Sequence, residues 1–140
     1  MPAIRQGWRT LSGLDRIQSP LSENLEGRAK VWFDLVLLGV AMSAVCVGCL
    51  VPNRWLPPLP NDKFLHFASF AVLAGLALRV AQGRLEALFW LLGLLLAGWL
   101  IECLQGAFVP DRRFCWRDMA ANAAGIAFAA LASQLYTSFF

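Results

Sequence analysis

Glu102 is the residue whose position in the sequence is hardest to explain without chemistry. It follows the apolar run ALFWLLGLLLAGWLI, which must be a helix, so it lies where the helix dipole is already negative. A carboxylate at that end needs a positive group nearby or a ligand to bind. The sequence supplies Lys63 before this run and Arg112 after it as candidate cations. The alternative is a boundary residue that is tolerated because water is close, but we expect Glu102 to form an ion pair or to belong to a binding site.

Other polar residues at the ends of apolar segments occur as pairs at helical spacing. Residues three or four apart lie on the same face of a helix. Polar groups about one turn inside an apolar segment usually face the interior of a helix bundle and find partners there. Together these residues predict one polar site, in which His66 could transfer protons while Glu102 and Asp118 supply carboxylates. The pairs are Asp62 and His66, Glu102 and Gln105, and Asp118 and Asn122.

Simpler interpretations exist for the same residues. Asp62 and Asp118 stand where helices begin and could serve as N-caps. A lone histidine is more often structural than catalytic. His66, Glu102, Asp118 and Cys103 could together ligate zinc, but no local metal-ligand spacing is present. The sequence therefore predicts no metal and no cofactor, and without a nucleophile motif it leaves catalysis undecided.

The composition indicates that a membrane holds these residues. Of 140 residues, 59% are hydrophobic and only 15% are charged, whereas soluble domains are about half apolar and about a quarter charged. The net charge of +3 comes from scattered basic residues, which argues against a nucleic-acid partner. Four apolar segments approach or exceed the length that crosses a hydrocarbon core about 30 Å thick. They cover residues 32–51, 64–81, 85–104 and 119–136.

These segments predict an all-α fold, an integral membrane bundle of four transmembrane helices. Residues 1–31 are expected to form a polar cytoplasmic tail with a possible amphipathic helix on the membrane surface, and residues 32–140 the transmembrane domain. A stripe of small residues in the last segment, with others in the second and third, would allow close helix packing. These residues are Ala121, Gly125, Ala129 and Ser133, then Ala71 and Gly75, and finally Gly93 and Ala97.

The orientation follows from the positive-inside rule. Lys and Arg residues near the span ends are slightly more numerous on the side of the termini. This places both termini in the cytoplasm and all three polar pairs at the extracytoplasmic face. At the cytoplasmic face, Glu86 is expected to be an ordinary surface charge, and Asp34 to reach the headgroups or pair with Lys30.

The four cysteines suggest packing more than redox chemistry. Cys46 and Cys49 lie inside an apolar segment, where thiols act as small packing residues. Cys103 and Cys115 flank the third loop, and a disulfide between them depends on a distance that the sequence does not determine.

The stretches NDKFLHFASFAVLAGLAL and LIECLQGAFVPDRRFCWRDMAANAAG resemble the VanZ-like family of small multi-pass membrane proteins. The family pattern is Asp-Lys with a His three residues later, Glu with Gln three later, a Pro-x-Arg loop, and Asp with Asn four and Gly seven later. The resemblance covers roughly residues 34–132. It departs at Ala129, where the family often has a second glycine. The matching positions are Asp62, Lys63, His66, Glu102, Gln105, Arg112, Asp118, Asn122 and Gly125.

The resemblance implies a fold and a site more than a reaction. The family's namesake is linked to teicoplanin resistance, and many relatives are bacterial inner-membrane proteins with envelope or exopolysaccharide roles. From the side chains themselves, we expect an extracytoplasmic site that binds an anionic envelope ligand, such as a polyprenyl phosphate or glycan precursor, through Lys63, His66 and Arg112. Membrane lipids are the other expected partners. The alternative is a non-catalytic scaffold in which the polar cluster is a structural clasp between helices.

Overall fold

The computed structural model of the chain describes the backbone of residues 3–51, 62–109 and 113–139, and side chains from residue 22 onward within these ranges. The described residues form four α-helices and no β-strand: α1 Ala3–Leu50, α2 Asp62–Val80, α3 Arg84–Phe108 and α4 Trp116–Phe139. Each contains a stretch long and apolar enough to cross a membrane, the first being Ser22–Leu50. This confirms the predicted all-α, four-span, multi-pass membrane fold.

Two compact units divide the chain, Met1–Phe33 and Asp34–Phe140. The first is helical from Ala3 onward as the N-terminal part of α1. The side chains that would form its predicted amphipathic face lie outside the described residues. The second unit contains the hydrophobic core and all the polar pairs, and the remaining description concerns this unit.

The core forms around α2. Phe70, Leu73, Ala74 and Ala77 of this helix have no exposed surface. They recur every three or four residues, so they form one buried face. The other buried apolar residues in contact with this face are Leu38 of α1, Leu94 and Ile101 of α3, and Ile126 and Ala129 of α4.

Helices α2 and α4 approach each other most closely at Gly125. A Cβ atom at this position would overlap the backbone carbonyl oxygen of Phe67 and lie 3.0 Å from the amide nitrogen of Ala71. Gly125 therefore permits a contact that any side chain would prevent. By contrast, a methyl group at Gly75 or Gly93 would have no described atom within 4 Å, so these two predicted packing glycines allow no close contact here.

A tight hairpin joins α2 to α3. Only residues 81–83 separate the two helices, so the start of α2 and the end of α3 lie at the same end of the bundle. The exposed carboxylate of Glu86 accepts a hydrogen bond from the backbone N–H of Gln82 at 2.9 Å. Glu86 is thus an exposed charge, as expected, whose carboxylate also caps the turn.

Asp34 connects α1 to α2 within the second unit. Its side chain is 2% exposed, and Oδ1 lies 2.9 Å from Nη2 of Arg79. Oδ2 accepts a hydrogen bond from Nε of Arg79 at 3.3 Å. The prediction that Asp34 reaches the headgroups or pairs with Lys30 is therefore wrong. The reason is that the planar guanidinium from the neighbouring helix approaches both carboxylate oxygens, one through a hydrogen bond and the other as an ion pair.

Candidate functional site

The three polar pairs meet at one end of the bundle, where α2 begins, α3 ends and α4 begins. Most members are buried, although they are ionisable or strongly polar groups. Buried groups of this kind require partners, and their burial indicates an internal cluster more than a set of boundary charges. The buried residues of the three pairs are His66, Glu102, Gln105, Asp118 and Asn122, with exposures of 5%, 1%, 2%, 8% and 1% respectively, and all of them except Gln105 belong to the cluster.

Glu102 faces the N-terminal end of α4. Its Oε2 atom accepts a hydrogen bond from the backbone N–H of Cys115, the residue before α4, at 3.3 Å. The positive end of that helix dipole compensates for the unfavourable position of Glu102 on α3. Its Oε1 atom lies 3.9 Å from Nδ1 of His66. Among the described residues, the positive end of α4 therefore faces Glu102, and the imidazole of His66 lies beside it.

His66 of α2 is close to polar residues of α3 and α4, and each of its two ring nitrogens has a different polar neighbour. Its Nδ1 atom lies 3.1 Å from Oδ1 of Asn122, and its Nε2 atom lies 4.0 Å from Oδ1 of Asp62. In the neutral tautomer that carries its proton on Nδ1, the ring donates this proton to the amide oxygen of Asn122. The lone pair of Nε2 then points toward the side on which Asp62 lies.

Lys63 is at the rim of the cluster. Its side chain is 52% exposed, and Nζ lies 3.9 Å from Oδ1 of Asp118. Among the described residues, Lys63 therefore pairs with Asp118 and not with Glu102, the partner that the sequence suggested. Asp118 is the third residue of α4, which is favourable for a carboxylate, but it lies inside the helix and not at the N-cap position.

Two residues expected in the site are not placed in the cluster. Gln105 donates a hydrogen bond from Nε2 to the backbone carbonyl of Cys49 at 2.7 Å. This carbonyl is among the last four of α1, which lack intrahelical donors, so Gln105 secures the end of α1. Arg112 lies outside the described residues.

Gly98 belongs to the site and was missed by the sequence interpretation. A Cβ atom here would lie 3.0 Å from Nδ2 of Asn122 and 3.1 Å from the ring of Phe70. Gly98 thus makes room for the amide that holds His66. The available signal was its spacing, because Gly98 lies one helical turn before Glu102 on the same face of α3.

Three buried polar atoms of the cluster lack a hydrogen-bond partner among the described residues. They are Oε1 of Glu102, Oδ1 of Asp118 and Nδ2 of Asn122. Most buried side-chain polar atoms in folded proteins have such a partner. The cluster therefore has both donor and acceptor capacity that its own side chains do not use.

The chain was compared with protein-family models, curated proteins and solved structures. No family model, curated protein or solved structure matches it. Function is therefore inferred from the site itself.

The donor atoms of the site include one set with metal-binding character. One carboxylate oxygen each from Asp62 and Asp118 and one ring nitrogen of His66 lie within 4.8 Å of one another. Asp62 and His66 are one turn apart on α2, whereas Asp118 comes from α4, so the sequence showed only part of this set. The arrangement combines acid–base groups with potential metal ligands, next to an exposed lysine.

Among the described residues, no cysteine thiol belongs to this set of possible metal ligands. Cys46 and Cys49 pack against the hydrophobic core, as expected for small apolar residues. Cys103 and Cys115, both among the described residues, are not joined by a disulfide. The contribution of Cys115 to the site is its backbone N–H.

Proposed function

We propose that this chain is a VanZ-like bacterial membrane protein that binds an anionic ligand of the cell envelope at the polar end of α2, α3 and α4. The ligand class is a phosphate-bearing lipid or glycan precursor, such as a polyprenyl phosphate. The family assignment is supported by the motif residues in the sequence, from Asp62 to Gly125. The four membrane-crossing helices are compatible with it.

The observation that carries the proposal is the position of Lys63. Its ammonium is 3.9 Å from Asp118, which is too long for a hydrogen bond, and about half of its side chain is exposed. Lys63 therefore keeps donors for an incoming anion. Arg113 and Arg117 are also exposed near this end of the bundle and form no salt bridge with another described residue. Exposed cationic side chains next to a buried polar cluster are suited to bind a phosphate group.

The proposed location is the bacterial cytoplasmic membrane, with both termini in the cytoplasm and the site at the outer face. This follows from the basic residues that flank the spans. An outward site is where lipid-linked envelope precursors are processed, and a role there is compatible with glycopeptide resistance or exopolysaccharide export. If the bound ligand is also transformed, His66, Glu102 and Asp118 are the acid–base candidates.

A second candidate is a scaffold in which the cluster is only a clasp. It is favoured by contacts that link all three helices, namely Glu102 to Cys115, His66 to Asn122 and Lys63 to Asp118. Polar networks can specify one helix arrangement without binding a ligand. The two candidates predict different effects when an exposed residue of the cluster, such as Lys63, is replaced. A structural clasp would lose stability, whereas a binding site would stay folded and lose affinity for its ligand.

The experiment measures binding of undecaprenyl phosphate to the full chain in detergent micelles, with undecaprenol as the uncharged comparison. The proposed function expects the phosphate to bind more tightly than the alcohol. Lys63→Met should weaken binding of the phosphate by about tenfold, the equivalent of one lost charge-assisted contact of about 1.4 kcal/mol. Glu86→Gln changes charge at the other end of the bundle and keeps the hydrogen-bond acceptor, so it should bind like the original chain.

Equal binding of phosphate and alcohol would contradict the proposal. So would a Lys63→Met chain that binds the phosphate normally but unfolds more easily, because that result is the one the clasp predicts. Helical content measured by circular dichroism separates a folded, non-binding variant from an unfolded one.

A further inference from the structure

We propose that Asp62, His66 and Asp118 form a binding site for a divalent transition metal. One donor atom from each residue lies within 4.8 Å of the other two. The set combines two carboxylates with an imidazole, a mixture that suits Zn²⁺ or Mn²⁺. Asp62 and His66 are one turn apart on α2, and Asp118 reaches them from the first turn of α4.

The orientation of His66 is that of a metal ligand. Metal-binding histidines almost always donate the proton of their second ring nitrogen to an oxygen atom that fixes the ring. Here Nδ1 lies 3.1 Å from Oδ1 of Asn122. In the tautomer that is protonated at Nδ1, Nε2 is the unprotonated nitrogen, and it lies 4.0 Å from Oδ1 of Asp62. Asn122 is 1% exposed and is held beside Gly98, so the orientation of the ring is well defined.

Electrostatics favours a cation at this position. Three carboxylates, those of Asp62, Glu102 and Asp118, are close to His66 or Lys63, and Lys63 is the only lysine or arginine that forms a salt bridge with any of them in the described part of the chain. Asp118 is 8% exposed, and its Oδ1 atom has no hydrogen-bond partner among the described residues. Buried carboxylates without compensation are costly. A divalent cation would neutralise the excess negative charge and occupy that oxygen.

A metal ion can reach this site from water, and the three donor atoms can move close enough to coordinate it. Zinc binds imidazole nitrogen and carboxylate oxygen at about 2.0–2.2 Å, which brings tetrahedral donors to roughly 3.5 Å from each other. The donors must therefore move together from their present separations of up to 4.8 Å. The side chain of Asp62 is 53% exposed, so it can rotate inward, and it provides a route for an ion from water.

Three protein ligands leave coordination positions open for an exogenous ligand. A phosphate oxygen would fit such a position, and Lys63 at the rim would contact the same phosphate. A metal would also explain how an anion binds beside three carboxylates. This role for the metal depends on the proposed function, whereas the metal site itself depends only on Asp62, His66 and Asp118.

Lys63 makes the proposal sharply testable, because its ammonium and the metal compete for Asp118. Removing the ammonium should strengthen metal binding while it weakens phosphate binding. The two proposals thus predict opposite effects of Lys63→Met, and one can fail without the other.

The experiment titrates Zn²⁺ and Mn²⁺, separately, into the full chain in detergent after treatment with a chelator and transfer to phosphate-free buffer. Calorimetry gives the stoichiometry, and the electron paramagnetic resonance signal of Mn²⁺ gives an independent count of bound ions. We expect one ion per chain. Asp118→Asn and His66→Gln should each weaken binding by at least about tenfold, the scale seen when even supporting residues of metal sites are lost. Glu86→Gln should have no effect.

Asp62→Asn provides the variant least able to disturb folding, because its side chain is half exposed; it too should weaken binding. Lys63→Met should bind metal at least as tightly as the original chain. The proposal is overturned if neither ion binds to the folded chain, or if Asp62→Asn and Asp118→Asn bind as the original does, which would indicate adventitious binding. Normal metal binding without phosphate binding would leave this site intact and reject only the proposed function.

Discussion

The carboxylate of Glu102 and the backbone N–H of Cys115 are joined by a hydrogen bond of 3.3 Å. Glu102 ends an apolar stretch of α3 but lies before the last turn of that helix, which ends at Phe108, and Cys115 immediately precedes α4. The positive end of α4 therefore compensates the buried carboxylate. Because Glu102 is only 1% exposed, water cannot replace this contact. The stability of the whole polar end should therefore depend on this side chain.

Replacement of Glu102 by alanine should destabilise the bundle by about 3 kcal/mol, since it leaves a cavity and removes the acceptor of the Cys115 amide. Glu102→Gln keeps an acceptor of similar size and should cost less. The measurement is unfolding in mixed micelles with increasing SDS, followed by circular dichroism. Glu86→Gln, at an exposed site, should change stability by less than about 0.5 kcal/mol. Equal effects at Glu102 and Glu86 would show that the polar end is not a cooperative cluster.

The Asp34–Arg79 pair predicts an asymmetry between its two partners. Arg79→Ala leaves a carboxylate that is 2% exposed without its cation, which should cost about 3 kcal/mol. Asp34→Ala leaves a guanidinium whose side chain is 56% exposed and can turn to water, so its cost should be smaller.

Arg84→Ala is the matched control for this pair, because Arg84 is an exposed arginine at the same end of the bundle that forms no salt bridge with a described residue. The same SDS titration ranks the three variants. A larger cost for Asp34→Ala than for Arg79→Ala would mean that burial of the carboxylate does not dominate the pair.

The close approach of α2 and α4 can be tested with two glycines. Gly125→Ala places a methyl group against the backbone of Phe67 and Ala71, which cannot move as a side chain can. We expect a loss of about 3 kcal/mol or more. Gly75→Ala meets no described atom within 4 Å. It should be neutral, or stabilising by up to about 1 kcal/mol through reduced backbone entropy of the unfolded chain. Similar stabilities of the two variants in SDS titration would rule out the tight contact.

The proposed orientation predicts which residues face the outside of the cell. In a chain whose own cysteines are replaced by alanine, we introduce Arg113→Cys or Gln82→Cys, at exposed positions beyond opposite ends of α3. A membrane-impermeant thiol reagent applied to intact bacteria should label the cysteine at position 113 and not that at 82. Labelling at position 82 alone would move the polar site to the cytoplasmic face.

Helical periodicity predicted much of the site correctly, but only within each helix. The shared face of Asp118, Asn122, Gly125 and Ala129 is buried along its length. Contacts between helices were less predictable. His66 and Asn122 are 56 residues apart, and Asp34 and Arg79 are 45 apart, so no local rule connects them. The i, i+4 rule instead suggested Lys30 for Asp34, because it counts only neighbours along one helix.

Composition and the length of the apolar segments were enough to establish an all-α chain with four membrane-crossing helices, because hydrocarbon requires every backbone group to be bonded within its own helix. Because successive membrane-crossing helices run in opposite directions, their order along the sequence was enough to place the polar residues at one end of the bundle. The rotation of each helix about its axis is decided by packing between helices, here by the approach that Gly125 and Gly98 allow. That rotation brings Asp118 of α4 beside Asp62 and His66 of α2 and leaves Lys63 at the rim. A rotation of a fraction of a turn would separate these atoms by several ångströms, and for that reason the donor set emerges only from the tertiary structure.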